Sequence, residues 1–182
     1  MTKYFAFLRA INVGGHTVKM AALKQIFESL GFTNVETYIA SGNITFASSS
    51  SNTKKLEKTI ENVLKSVLGF ETITFLRTEP ELEQIARFQP FAEPSLKTAI
   101  SVNVAFLKEP LNPAEIQTVM AWGTPADEFN VAGREVFWLV RTLQHESSFS
   151  NSVFEKTLKR KSTIRGMDTV RKMVCQDRTD HA

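Results

Sequence analysis

Residues 3–9 alternate, are rich in aromatics, and predict a strand. The Gly pair in Ala-Ile-Asn-Val-Gly-Gly-His-Thr, residues 10–17, predicts a loop. Met20, Leu23, Ile26, Phe27 and Leu30 then recur at helical spacing, with Gly31 as the stop. Val35, Thr37 and Ile39 share one side of a second predicted strand. Ser41-Gly42 makes a short hairpin turn, and Ile44 and Phe46 begin the returning strand. After the serine loop at 48–51, Leu56, Ile60, Val63, Leu64 and Val67 form one face of a helix that ends at Gly69. Ile73 and Phe75 mark a fourth strand. The order β-α-β-β-α-β suits a ferredoxin-like unit, in which an antiparallel sheet carries two helices on one face.

Pro80, Pro90 and Pro94 make residues 79–97 a connector with a short helix at 80–87. From residue 98 the same order of elements recurs. Ile100, Val102, Val104 and Phe106 alternate. Asn112-Pro113 opens a helix whose Ile116, Val119 and Met120 face inward, with Gly123 after its end. Residues 128–131 and 135–141 form a hairpin about Ala132-Gly133. Ser152 and Glu155 fit a capping box before Phe154 and Leu158. Residues 162–165 form a short strand, and Asp168 caps a last helix carrying Val170, Met173 and Val174. The expected fold is α+β, two tandem ferredoxin-like (βαββαβ) halves with antiparallel sheets plus a C-terminal helix. The first spans 1–78 and the second 98–182. Halves of this size are marginal alone and are expected to pack together.

Composition narrows the class. No stretch of about 18 apolar residues exists, and the N-terminus lacks the apolar run of a secretory signal, so a cytoplasmic protein without membrane contact is expected. The single cysteine, Cys175, excludes an intramolecular disulfide framework, and the scattered His16, His145 and His181 do not pair as metal ligands, so neither a metal nor a cofactor is expected. Cys175 reads as a packing residue on the apolar side of the last helix. Trp122 and Trp138 read as core or domain-interface residues. The net charge of +3 conceals an asymmetry. Residues 153–178 hold eight basic and three acidic residues, whereas residues 1–152 are near neutral, with fourteen basic and fifteen acidic. A basic segment of this density attracts phosphate-bearing partners, although charge runs are commonly solvated faces.

The topology adds a geometric expectation. A helix crossover joins the first two strands, so they run in the same direction, and the loop 10–17 and the turn 40–43 share one end of the sheet. Arg9, Asn12, Gly14, Gly15, Ser41 and Asn43 gather there, before a helix N-terminus whose unpaired N–H groups suit a phosphate or carboxylate. The glycines match neither the P-loop nor the dinucleotide fingerprint. His16 and Tyr38 are the candidate acid/base groups at the same end, and no RNP-type aromatic octapeptide appears.

The run Leu8-Arg9-Ala10-Ile11-Asn12-Val13-Gly14-Gly15, the helix with Met20 and Leu23, and Thr37-Tyr38-Ile39-Ala40-Ser41-Gly42-Asn43 together resemble one family. It is the bacterial domain-of-unknown-function family 1697, with its pattern L-R-G-I-N-V-G-G, M-x-x-L and T-Y-I-x-S-G-N. Ala10 stands where that family often has glycine. Arg165, Thr169, Val170 and Lys172 match a C-terminal R-N-W-N-T-V-x-K stretch, in which Gly166-Met167-Asp168 replaces Asn-Trp-Asn. The resemblance implies two ferredoxin-like halves and no reaction. The leading expectation is an anionic ligand, a nucleotide or nucleic-acid phosphate, held at residues 9–17 and 40–43 and joined by Arg165, Thr169 and Lys172. One alternative is an enzyme acting on a small phosphorylated or carboxylated metabolite, with Arg9 as charge stabiliser. The other is a protein–protein interaction module that uses free edge strands. The residues name neither a reaction nor an oligomeric state.

Overall fold

The computed structural model describes the backbone of residues 1–12, 15, 17–39 and 42–179, and the side chains of these as far as residue 175. The chain divides into two compact units, Met1–Gln84 and Ile85–Ala182. Each holds one four-stranded antiparallel sheet with ferredoxin-like strand order, so the fold is two tandem halves of the same kind plus a C-terminal helix.

In the first unit, β1 (Thr2–Arg9), α1 (Met20–Ser29), β2 (Thr33–Tyr38), β3 (Asn43–Ser48), α2 (Thr53–Leu68) and β4 (Ile73–Thr78) follow in order. The sheet order is β2-β3-β1-β4. Both β1 and β2 pair antiparallel with β3, so they run parallel to each other and end on the same side. Period-two alternation puts Tyr4, Ala6 and Leu8 of β1 on the face that buries Leu23 and Phe27 of α1 and Leu56, Ile60 and Leu64 of α2. Phe46 lies among the rings of this core, 5.5 Å from Tyr4, 5.5 Å from Phe27 and 4.3 Å from Phe32. The opposite face, with Phe5, Phe7, Phe75 and Arg77, is buried as well.

α3 (Glu79–Arg87) and α4 (Glu93–Thr98) follow. The second unit then has β5 (Ser101–Phe106), α5 (Pro113–Met120), β6 (Asp127–Ala132), β7 (Glu135–Val140), α6 (Asn151–Leu158), β8 (Thr163–Gly166) and α7 (Met167–Thr179). Its sheet order is β6-β7-β5-β8. Val119, Phe129, Trp138, Phe149 and Phe154 are buried in one cluster, and Trp122 packs its ring against Phe149 and Phe154. Both tryptophans are therefore core residues of this unit. α7 packs against β5 and β8 with Met167, Val170, Met173 and Val174 buried.

Several local expectations are corrected. Ile39 lies beyond the end of β2, 54% exposed, with its backbone at φ +47. Val67, Ile100 and Met120 are exposed, because each sits at the margin of its helical or strand stripe. The N-cap of α6 is Ser150, which accepts from the Val153 N–H, and Glu155 instead accepts from the Ser162 N–H at 3.0 Å. α7 starts at Met167, so Asp168 lies in its first turn and is not its cap. The connector holds a second helix, α4, because a proline in the first helical turn gives up an N–H that has no intrahelical partner. Cys175 is exposed and takes no part in the core.

Candidate functional site

The end of the first sheet is built by two connections that touch. The Leu8 N–H donates to Gly42 O at 2.8 Å, just beyond the register pair Phe7–Asn43. The Gly42 backbone has φ +71 and packs so closely that a Cβ there would stand 2.7 Å from Cγ2 of Ile11 and 3.1 Å from Cβ of Leu8. Asn12 Oδ1 accepts from the Val18 N–H at 2.7 Å, which closes the loop after β1 at its base. Asn43 is fully buried and its Nδ2 donates to Tyr38 O at 3.2 Å, across the turn after β2. Each of these asparagines thus makes a bond that shapes its own connection. Arg9 ends β1 and Tyr38 ends β2, both half-buried. Gly15 is exposed, with open space around its Cα. Gly14, His16 and Ser41 lie outside the described residues.

Two L-residues beside these loops have left-handed backbones, Ala10 at φ +61 and Ile39 at φ +47. The first explains why glycine suits position 10. The second is a β-branched residue in a region that its class rarely enters.

α1 begins at this end with an unusual N-terminus. Its N-cap position is Lys19, which offers no side-chain acceptor, and its first turn carries no acid. By contrast, Asn52, Asn112 and Ser150 cap α2, α5 and α6 through their side chains. The Ala22 and Leu23 N–H groups donate to Lys19 O at 3.0 and 3.2 Å, and no side chain of the cap residue accepts from the amides of Met20 and Ala21 that precede them. The sequence carried a signal for this, since no Ser, Thr, Asp or Asn stands at position 19.

The basic segment is less of a free surface than its composition implies. Arg160 makes a bidentate pair with Glu115, Nε–Oε1 2.8 Å and Nη2–Oε2 3.0 Å. Lys161 pairs with Glu155 at 3.4 Å, and Arg171 with Asp168 at 3.4 Å. Within this segment, Lys156, Lys159 and Lys172 are exposed and make no ion pair among the described residues. Thr169 is half-buried in the first turn of α7.

Arg165 sits on β8 opposite Val104, and Arg77 on β4 opposite Phe5. Counted from the first residue of the third strand of each sheet, Asn43 opposite Phe7 and Glu135 opposite Phe106, the two arginines hold the same position. Each donates Nη1–H to the carbonyl of the residue before it, at 2.8 Å in both cases. Arg165 also donates to Thr163 Oγ1 at 2.8 Å, and desolvation lowers its pKa to about 10. The internal repeat thus extends to an arginine at the same strand position, buried in the first half and half-buried in the second, which two halves of unlike sequence conceal.

Glu115 has two roles. Its Oε2 accepts from the Asn112 N–H at 2.8 Å, completing the capping box of α5, and the same carboxylate holds Arg160. The bonds from Arg160 and then from the Asn112 backbone lower its pKa below the ordinary carboxylate value. This contribution to stability is full above the unfolded carboxylate pKa and is lost as pH falls through the lower, folded one. In Arg160→Met, NMR titration should show the Glu115 midpoint moving up toward the ordinary value, and acid unfolding should begin at a higher pH. An unchanged midpoint would remove Arg160 as the cause.

A shallow cavity of about 260 Å³ lies between α2 and the start of β4, lined by Glu61, Asn62, Lys65, Glu71, Thr72 and Ile73. Lys65 and Glu71 pair within its lining at 2.7 Å, which lowers the Glu71 pKa. No group of three or more His, Cys, Asp or Glu among the described residues is placed to hold a metal ion. No helix among them is long and apolar enough to cross a membrane.

Residues 1–137 match the model of a family described as protein of unknown function (DUF1697). The matched span ends before Arg165, Thr169 and Lys172. The chain is also similar to the solved structure of a conserved bacterial protein from Streptococcus pneumoniae, with TM-score 0.76 and 25% identity, over 96% of this chain and 98% of that one. No curated protein matches it.

Proposed function

The chain belongs to the DUF1697 family, and we propose that it binds a phosphate-bearing ligand at the end of its first sheet. The observation that carries this reading is the N-terminus of α1, which has neither a side-chain cap nor an acid in its first turn and carries Lys19 at the cap position. A helix start of this kind presents N–H donors and a partial positive charge to an anion. Gly15, with open space around its Cα, lets a ligand approach the backbone, and Arg9 at the end of β1 adds a cation at the same end. Gly14 and Ser41 belong to the proposed binding set through their place in the two connections, with Asn12 and Asn43 holding those connections in shape. The reading rests on the first unit alone. If the ligand is a nucleic acid, affinity falls steeply as salt rises; if it is a small phosphate ester, the dependence is shallow.

Lys19→Asp tests the site directly, because it supplies the missing acceptor and a negative charge at once. The variant should gain about 1 kcal/mol of stability from the new cap and lose phosphate binding. The probes are inorganic phosphate and a nucleoside monophosphate, followed by amide chemical shifts. Saturable shifts should appear at Gly15, Met20–Leu23 and Gly42 in the wild type and vanish in Lys19→Asp. Absence of saturable shifts with both probes, or equal affinity in the variant, would sink the reading.

A further inference from the structure

β4 is an edge strand, since its only sheet neighbour is β1. Successive amides of an edge strand alternate between the neighbour and the outside, and the outward set is a template for pairing with another chain. In β4 the outward amides are those of Thr74, Leu76 and Thr78, and each donates to a glutamate. Thr74 N–H donates to Glu61 Oε1 at 2.9 Å, Leu76 N–H to Glu57 Oε1 at 3.0 Å, and Thr78 N–H to Glu81 Oε2 at 2.8 Å. The spacing is a geometric match. Glu57 and Glu61 are one helical turn apart on α2, about 6 Å along its axis. Leu76 and Thr74 are two residues apart on β4, about 6.6 Å. The third carboxylate comes from the next helix, where Glu81 accepts from the Thr78 N–H, as in one arm of a capping box, and also from the Thr78 hydroxyl, Oγ1–Oε2 2.9 Å.

We propose that Glu57, Glu61 and Glu81 lock the β4 edge, and that they bar a second copy of this chain from adding its own β4 across it. The strand they cover, Ile-Thr-Phe-Leu-Arg-Thr, has the β-branched and aromatic content, without proline, of a segment that pairs readily when its edge is open. A second copy is the natural occupant, because once the carboxylates are removed both copies present the same row of donors and acceptors and can pair in antiparallel register. The expected β4 interface is therefore closed in the native chain, and a free-edge interaction module would not use this side of the first sheet.

The test compares the full-length chain with Glu61→Ala/Glu81→Ala, which spares the buried Glu57, and with Glu61→Gln/Glu81→Gln, which retains an acceptor oxygen at each position. Native-state hydrogen exchange and light scattering across a concentration series are measured on all three. In the alanine pair, exchange at Thr74 and Thr78 should accelerate at least tenfold relative to Phe75 and Arg77, and the mass should rise toward a dimer with concentration. The glutamine pair should remain at the wild-type mass. Unchanged exchange in the alanine pair would overturn the lock, and accelerated exchange with wild-type mass would overturn the barring role. Association of the glutamine pair equal to that of the alanine pair would overturn the acceptor mechanism. Should the alanine pair fail to fold, Glu81→Ala alone, read at Thr78 by the same exchange and mass criteria, decides the question.

Discussion

Asp127→Ala should lower the stability of the second unit by roughly 3–5 kcal/mol, the scale for emptying a buried carboxylate site. The Asp127 residue is 3% exposed and accepts three side-chain donors. Trp138 Nε1–H reaches Oδ1 at 2.8 Å, Ser147 Oγ reaches Oδ1 at 2.7 Å, and Thr124 Oγ1 reaches Oδ2 at 3.0 Å. Together they tie β6 to β7 and to the segment that leads into α6. Alanine would leave the indole N–H without its acceptor in the core and remove the anchor of the 147–149 turn, where the Phe149 N–H donates to Ser147 Oγ at 3.0 Å. Asp127→Asn keeps the Oδ1 acceptor and gives up only the bond from Thr124, so its cost should be below about 2 kcal/mol. Urea unfolding followed by tryptophan emission reports this unit specifically, because the chain's two tryptophans, Trp122 and Trp138, both lie in it. A loss under about 1 kcal/mol for alanine would show that the network contributes little.

Gly42→Val should destabilise the first unit by about 2–5 kcal/mol, from two separable sources. A left-handed backbone costs an L-residue about 1–2 kcal/mol. Overpacking against Ile11 and Leu8, where a Cβ would stand at 2.7 and 3.1 Å, costs about 1–3 kcal/mol more. Gly15→Ala separates the two terms, because Gly15 has a similar φ of +87 but nothing near its Cα. That control should cost only the conformational part, about 1 kcal/mol. Thermal unfolding by circular dichroism checks both. Gly42→Val should also abolish the phosphate-induced shifts at Met20–Leu23, since the two connections can no longer close on each other. Equal costs for the two substitutions would mean that the close approach of the loops does not constrain the sheet end.

Much of this architecture is legible in the hydrophobic pattern. Both β-α-β-β-α-β orders follow from where period-two and period-3.6 patterns change, and so does the parallel run of β1 and β2 that brings the two connections to one end. Asn112-Pro113 announces α5 because capping chemistry is local, complete within four residues. Other features were hidden for equally physical reasons. Ile39 fits an alternating strand in sequence, yet β2 ends at Tyr38 and the Ile39 backbone is left-handed, at φ +47, a conformation that no alternation pattern encodes. Ser152 looks like a cap by spacing, and only backbone geometry hands that role to Ser150. The capping of α1 is visible as a missing acceptor at position 19, but a missing residue type is a weaker signal than a motif.

The charge asymmetry marks the boundary most plainly. Composition alone determines that residues 153–178 carry a net +5. It cannot determine how much of that charge faces solvent, because Arg160 finds its acid 45 residues away in α5 and Arg165 is drawn into a strand position that Arg77 mirrors in the other half. Local pattern, capping and turn chemistry act within a few residues and can be read along the chain. Ion pairing, the close approach of Gly42 to Ile11, and the occupation of the β4 amides by three glutamates depend on segments meeting in space, and only the tertiary structure decides those.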